Sequence, residues 1–168
     1  MPLLDREGLR EDVWVPAAID ATSGTHVLVA WEQLGPALAE RRNDGKIGVA
    51  VPNTIKIDEL RPFFEAIALI SITFPGFGDG RGFSLAKLLR EAGYKGVLRA
   101  SGPLIADQFS YALFCGFDEI SLPEANAARQ PIAQWLAARK LITNTYQRGY
   151  GSGNILDQRR AARLRSPA

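Results

Sequence analysis

The chain has 168 residues, 46% of them hydrophobic, with a formal net charge of +2, one cysteine and one histidine. That length and apolar share describe a single domain able to bury a core without staples, and one cysteine excludes an intramolecular disulfide. No apolar run approaches the roughly 20 residues of a membrane span, the near-neutral body has no electrostatic footprint for nucleic acid, and no basic leader precedes an apolar stretch, so a cytoplasmic protein is expected.

The charge is uneven along the chain. After residue 147, Arg148, Arg159, Arg160, Arg163 and Arg165 face Asp157 alone. This predicts one α/β domain over residues 1–147, opened by an N-terminal arm at 1–25, and a basic flexible tail at 148–168.

Within the arm only Val13–Val15 has strand character, as an edge strand. His26–Trp31 is a short apolar run leading into a helix on which Trp31, Leu34 and Leu38 share a face, with Pro36 near its start and Asn43-Asp44-Gly45 as its stop. Ile47–Val51 is a continuous β-branched run of the kind buried on both faces of a parallel sheet. Asp58 is placed as the N-cap of a short helix using Leu60, Phe63, Phe64 and Ile67.

Ile67–Phe74 follows as a second buried strand. A glycine-rich loop then leads to a helix from about Ser84, with Leu85, Leu88, Leu89 and Ala92 inward and Gly93 at its C′ position. Gly96–Ala100 is a third strand, followed by a helix burying Ile105, Phe109, Ala112 and Leu113 and ended by Gly116. Glu119–Leu122 is a fourth strand. Pro131 opens a last helix that buries Ile132, Trp135 and Leu136, and Ile142–Gln147 is a final strand or cap.

Four strand-to-helix alternations at βαβ spacing predict an α/β fold: repeated βα units with a mainly parallel sheet, either an open three-layer arrangement or a partial (half) barrel. In both, ligands bind where the carboxyl ends of the strands converge. The polar residues after those ends are concentrated accordingly. The run GFGDGRGFS presents glycines at positions 76, 78, 80 and 82, free to approach a ligand or take positive φ, and delivers Ser84 at a helix N-terminus.

Arg81 and Arg99 are therefore expected to hold a small anion with Ser84, supported by Asp79, Gly80, Gly82, Asp107 and Gln108. The anion classes that fit are sulfite, sulfate, phosphate and carboxylate. The competing reading is structural: Asp79 caps its helix and pairs with Arg81, Arg99 pairs with Asp107, and Gln108 caps its own helix. Cys115 reads as a buried small hydrophobe rather than a redox thiol. His26 has no second ligand at metal spacing. The glycines fit neither G-x-G-x-x-G nor a P-loop, so no nucleotide or other cofactor is named, although such a rim would admit a flavin or sugar phosphate.

The ordered run from Phe74 to Leu122, with FP, the DGRG turn, S-x-A-x-L-L-R, G-x-L-R-A-x-G, DQ and CGF-D, resembles the bacterial domain family of unknown function numbered 934. Asp12-Val13-Trp14 and Tyr146-Gln147 look like further landmarks of it, so the resemblance spans about residues 10 to 147. It departs at Gly78, where the family more often has Thr. The resemblance implies an oxidoreductase or accessory protein of assimilatory sulfite reduction, with the enzymes of that pathway as partners. The alternative it leaves is a non-enzymatic module docking on such an enzyme. It carries over no catalytic residues.

Overall fold

A computed structural model of the chain describes residues 1–16, 25–40 and 45–139. The tail at 148–168 and the segment Ile142–Gln147 lie outside the described residues, as does Tyr146-Gln147.

Eight strands form one sheet: β1 Leu3–Asp5, β2 Leu9–Arg10, β3 Trp14–Pro16, β4 His26–Ala30, β5 Ile47–Pro52, β6 Leu69–Thr73, β7 Val97–Ser101 and β8 Glu119–Ser121. Their order is β2-β1-β8-β7-β6-β5-β4-β3. From β3 to β8 every neighbouring pair is parallel and consecutive, while β1 runs antiparallel to both β8 and β2. Each new parallel strand is thus laid on the same side of the last. With crossovers of one hand, this winding sends the connecting helices to one face.

The helices are α1 Leu34–Ala39, α2 Ile57–Leu60, α3 Arg81–Glu91, α4 Phe109–Cys115, α5 Glu124–Arg129 and α6 Ile132–Ala138, with 3₁₀ turns at Trp31–Gln33, Arg61–Phe63 and Ala106–Gln108. Between helices and sheet lies the core. Strand residues alternate, and those turned to the helices are Val49, Val51, Ile70, Ile72, Leu98 and Ile120, all buried and continuous with Phe83, Leu89, Phe109 and Trp135. Each such side chain contributes about 1.5–3 kcal/mol by leaving water.

The sheet is curled into a half barrel rather than flat, and chain length requires it. Strands β2 and β3 are the two edges, yet only residues 11–13 join them. Four residue steps reach at most ~14 Å, whereas the edges of a flat eight-stranded sheet stand ~34 Å apart. The edges must fold toward each other, and this connection is a strap across the concave side. Trp14 at its end lies against Gly48 of β5, where a Cβ would come within 2.9 Å of the indole ring. Glycine there is what lets the ring approach.

Several expectations shift by a turn or a face. α3 begins at Arg81 rather than Ser84. Leu88, expected inside, is exposed, because buried Leu85 and Leu89 already fill the inward stripe. α2 is preceded by Lys56 as N-cap, leaving Asp58 inside the first turn, where a carboxylate still meets the positive end of the helix. Gly93 does take the left-handed conformation, φ 95°, and Tyr94 N–H closes onto the Leu89 carbonyl. Strands β1 and β2 and helix α5 have no counterpart among the predicted elements, while β4 takes up the apolar run read at His26–Trp31.

Candidate functional site

At the carboxyl-end rim, the loop from Phe74 to Gly80 leads from β6 into α3. Arg81 doubles back on this loop. Its guanidinium donates through Nε and Nη2 to the Asp79 carboxylate, and its own backbone N–H donates to Asp79 Oδ1 at 3.2 Å. The Arg81 hydrogen bond holds the Asp79 carboxyl well below the usual carboxylate range, and Asp79 in turn raises the Arg81 pKa. The buried Asn53 amide faces the same carboxylate and adds to the effect, although its nitrogen completes no hydrogen bond of good geometry. Asp79 therefore occupies the position an external anion would take at this helix terminus.

The glycines divide by role, and none of the four has positive φ. A Cβ on Gly76, Gly78 or Gly80 would meet nothing within 4 Å, whereas one on Gly82 would sit 2.3 Å from the Phe74 ring. Gly82 is thus a packing residue, and the other three leave bare backbone beside exposed Phe77. Gln108 accepts the Ile105 N–H at 3.1 Å and donates to the Phe77 carbonyl at 2.7 Å, tying this loop to the next one. Asp107, on the same 3₁₀ turn, is exposed.

Arg99 does not join them. Leu98 and Ala100 point into the core beneath the helices, so alternation turns Arg99 to the opposite, concave face. There Nη1 and Nη2 donate to the two Asp12 oxygens at 2.8 Å each, and Nε donates to Glu119 Oε1 at 2.8 Å. The expected Arg99–Asp107 pair is therefore corrected: the partners are Asp12 of the strap and Glu119 of β8. Burial pushes the guanidinium pKa down, but the hydrogen bonds it donates to Asp12 and Glu119 outweigh it and the net shift is upward. Ser84 sits on the solvent side of α3, so Arg81 and Ser84 occupy the helical layer while Arg99 sits across the sheet from it.

The concave face carries a feature that sequence reasoning missed. Parallel register sets Ser71 beside Arg99 beside Glu119, and one step nearer the rim sets Thr73 beside Ser101 beside Ser121. Ser71 is 2% exposed and Ser121 6%. The signal was available in the alternation of LISIT and VLRAS, but only the pairing register aligns the hydroxyls.

At the opposite rim, Arg90 gathers four acceptors: the carbonyls of Gly116, Tyr94 and Gly96 and the Asp118 carboxylate. Asp118 also accepts the Leu98 N–H at 2.8 Å. The L-L-R and CGF-D landmarks are therefore one structural clamp between α3, α4 and the starts of β7 and β8. Cys115 is buried, and burial pushes its thiol pKa up despite a hydrogen bond from Tyr111. His26 packs its ring 5.1 Å from that of Trp14. Among the described residues no group of His, Cys, Asp and Glu is arranged to hold a metal, and no helix is long and apolar enough to cross a membrane.

The outer surface of the helical layer is the other notable region. Leu88 of α3 and Tyr111 and Phe114 of α4 are 49%, 46% and 52% exposed. Tyr111 stacks on Phe114 at 6.3 Å and meets Phe83 edge-on at 5.1 Å, so buried Phe83 backs Tyr111 from beneath.

A family model described as Bacterial protein of unknown function (DUF934) matches residues 48–155. No curated protein matches the chain.

Proposed function

Since the chain belongs to that bacterial family of unknown function, we propose that it acts as an accessory module that docks on another protein, rather than as a catalyst at the glycine-rich rim. The observation that carries this reading is the apolar outer face of α3 and α4: Leu88, Tyr111 and Phe114 are large and about half exposed, and core residue Phe83 backs Tyr111. Exposed aromatic side chains on a rigid support are the residues that dominate protein interfaces. The state of the arginines points the same way. Arg81 is engaged by Asp79, and Arg99 by Asp12 and Glu119, which speaks against one anion cradle shared by Arg81, Ser84 and Arg99.

From the sequence resemblance we infer the setting, assimilatory sulfite reduction, and hence the partner class: an enzyme of that pathway, which this chain serves as an accessory protein. The experiment is sedimentation of the purified chain mixed with purified assimilatory sulfite reductase. A stoichiometric complex is expected, lost when Leu88, Tyr111 and Phe114 are all replaced by serine while circular dichroism stays unchanged. Two components that sediment independently would overturn the proposal.

A further inference from the structure

Arg99 presents a planar fork at the centre of the concave face, and the group seated in it is a carboxylate carried on a tether. Both Asp12 oxygens accept from the fork at 2.8 Å, the end-on bidentate arrangement by which guanidinium binds carboxylates and other small oxyanions. Of the two carboxylates on Arg99, Glu119 is fixed within β8, while Asp12 lies in the strap, outside any strand, and is a third exposed. Around the fork stand Ser71 and, toward the rim, Ser101 and Ser121. Ser71 and Ser121 are more than nine-tenths buried.

We propose that the Arg99 fork is a seat for a small oxyanion with two adjacent oxygens, and that Asp12 is its built-in occupant, displaced when the ligand binds. The ligand takes the two Nη bonds that Asp12 gives up, and the serine hydroxyls donate to its remaining oxygens. With Asp12 gone, Arg99 and Glu119 cancel. The seat then prefers a monoanion, a carboxylate or hydrogen sulfite, over a doubly charged sulfate. Leaving with Asp12, the strap uncovers the concave face, so binding and opening are one event. The tether holds Asp12 at an effective concentration on the order of millimolar or above, and the ligand competes with that. This inference stands apart from the docking face, which lies on the far side of the sheet.

The test is chemical rescue in the full chain. Asp12→Ala is expected to melt below wild type and to recover as formate, acetate or sulfite is raised to millimolar levels. Chloride at equal ionic strength is expected to have no such effect, and wild type to shift less at every concentration. Recovery with formate and acetate alone assigns a carboxylate ligand; recovery with sulfite as well assigns the wider oxyanion class. Should Asp12→Ala not fold, hydrogen exchange of wild type decides: the anion is expected to speed exchange across residues 11–16. No recovery with any anion, or a strap whose exchange ignores all of them, overturns the inference. Serine substitutions at Leu88, Tyr111 and Phe114 are expected to leave the rescue intact, which separates failure here from failure of the docking proposal.

Discussion

Gly80, the N-cap of α3, and Gly82, in its first turn, sit two residues apart and answer to different constraints. A Cβ on Gly82 would enter the ring of Phe74, a fully buried side chain, while a Cβ on Gly80 would meet open space. Gly82→Ala is expected to lose about 1–3 kcal/mol through overpacking, and Gly80→Ala to stay within about 0.5 kcal/mol of wild type; urea denaturation reads both. Arg90→Ala removes four hydrogen bonds from a partly buried hub and is expected to cost about 2–3 kcal/mol in the same assay. Asp79 predicts a pH dependence. Its folded pKa is depressed, so what it adds to stability is in place above the ordinary carboxylate value of about 4 and is lost as the pH falls below it. The melting difference between wild type and Asp79→Asn is therefore expected to be flat from neutral pH down to about 4 and to shrink below that.

Among elements, strands β5 and β6 were legible because a buried parallel strand writes itself as a run of Ile, Val and Leu, and β7 and β8 by their place just after the helix stops at Gly93 and Gly116. The cap of α3 was legible too, since Gly93 and Tyr94 act within a single turn. Strands β1 and β2 were not, because Leu3–Asp5 is too short for a pattern and pairs with β8 at the far end of the chain. Helix α5 buries no residue, so it has no apolar stripe to detect. The sheet's register predicts its own stability order. Amides of Val49, Ile70 and Leu98, in central strands with neighbours on both sides, are expected to exchange slowest, and those of β2 and β3 at the open edges fastest, as hydrogen exchange followed by mass spectrometry reads.

For the whole molecule, the question is what sets the curl. The strap limits the separation of the two edges, while the Asp12–Arg99 pair and the Trp14–Gly48 contact decide where it crosses. If the contacts rather than the strap's length hold the edges, six Gly-Ser residues inserted between Glu11 and Asp12 are expected to cost less than about 1 kcal/mol, the scale of added loop entropy. A larger loss in denaturant unfolding would show that strap length itself bends the sheet. The same geometry explains why the docking face and the Arg99 fork are separate: one lies outside the helical layer, the other within the curve of the sheet.

What the amino-acid sequence settled alone was whatever is encoded locally: the βα alternation, the class of sheet, the helix stops at Gly93 and Gly116, and the pairing of Asp79 with Arg81 two residues away. What only the tertiary structure decided was which charges meet across the chain. Arg99 looked to Asp107 because that is the nearest carboxylate downstream, but strand alternation turns its side chain away from the helices that carry Asp107. The partner that reaches it, Asp12, is 87 positions distant, brought there because a three-residue strap must cross the inside of a curled sheet. Contacts of that kind depend on closure of the whole fold, and no window along the chain contains them.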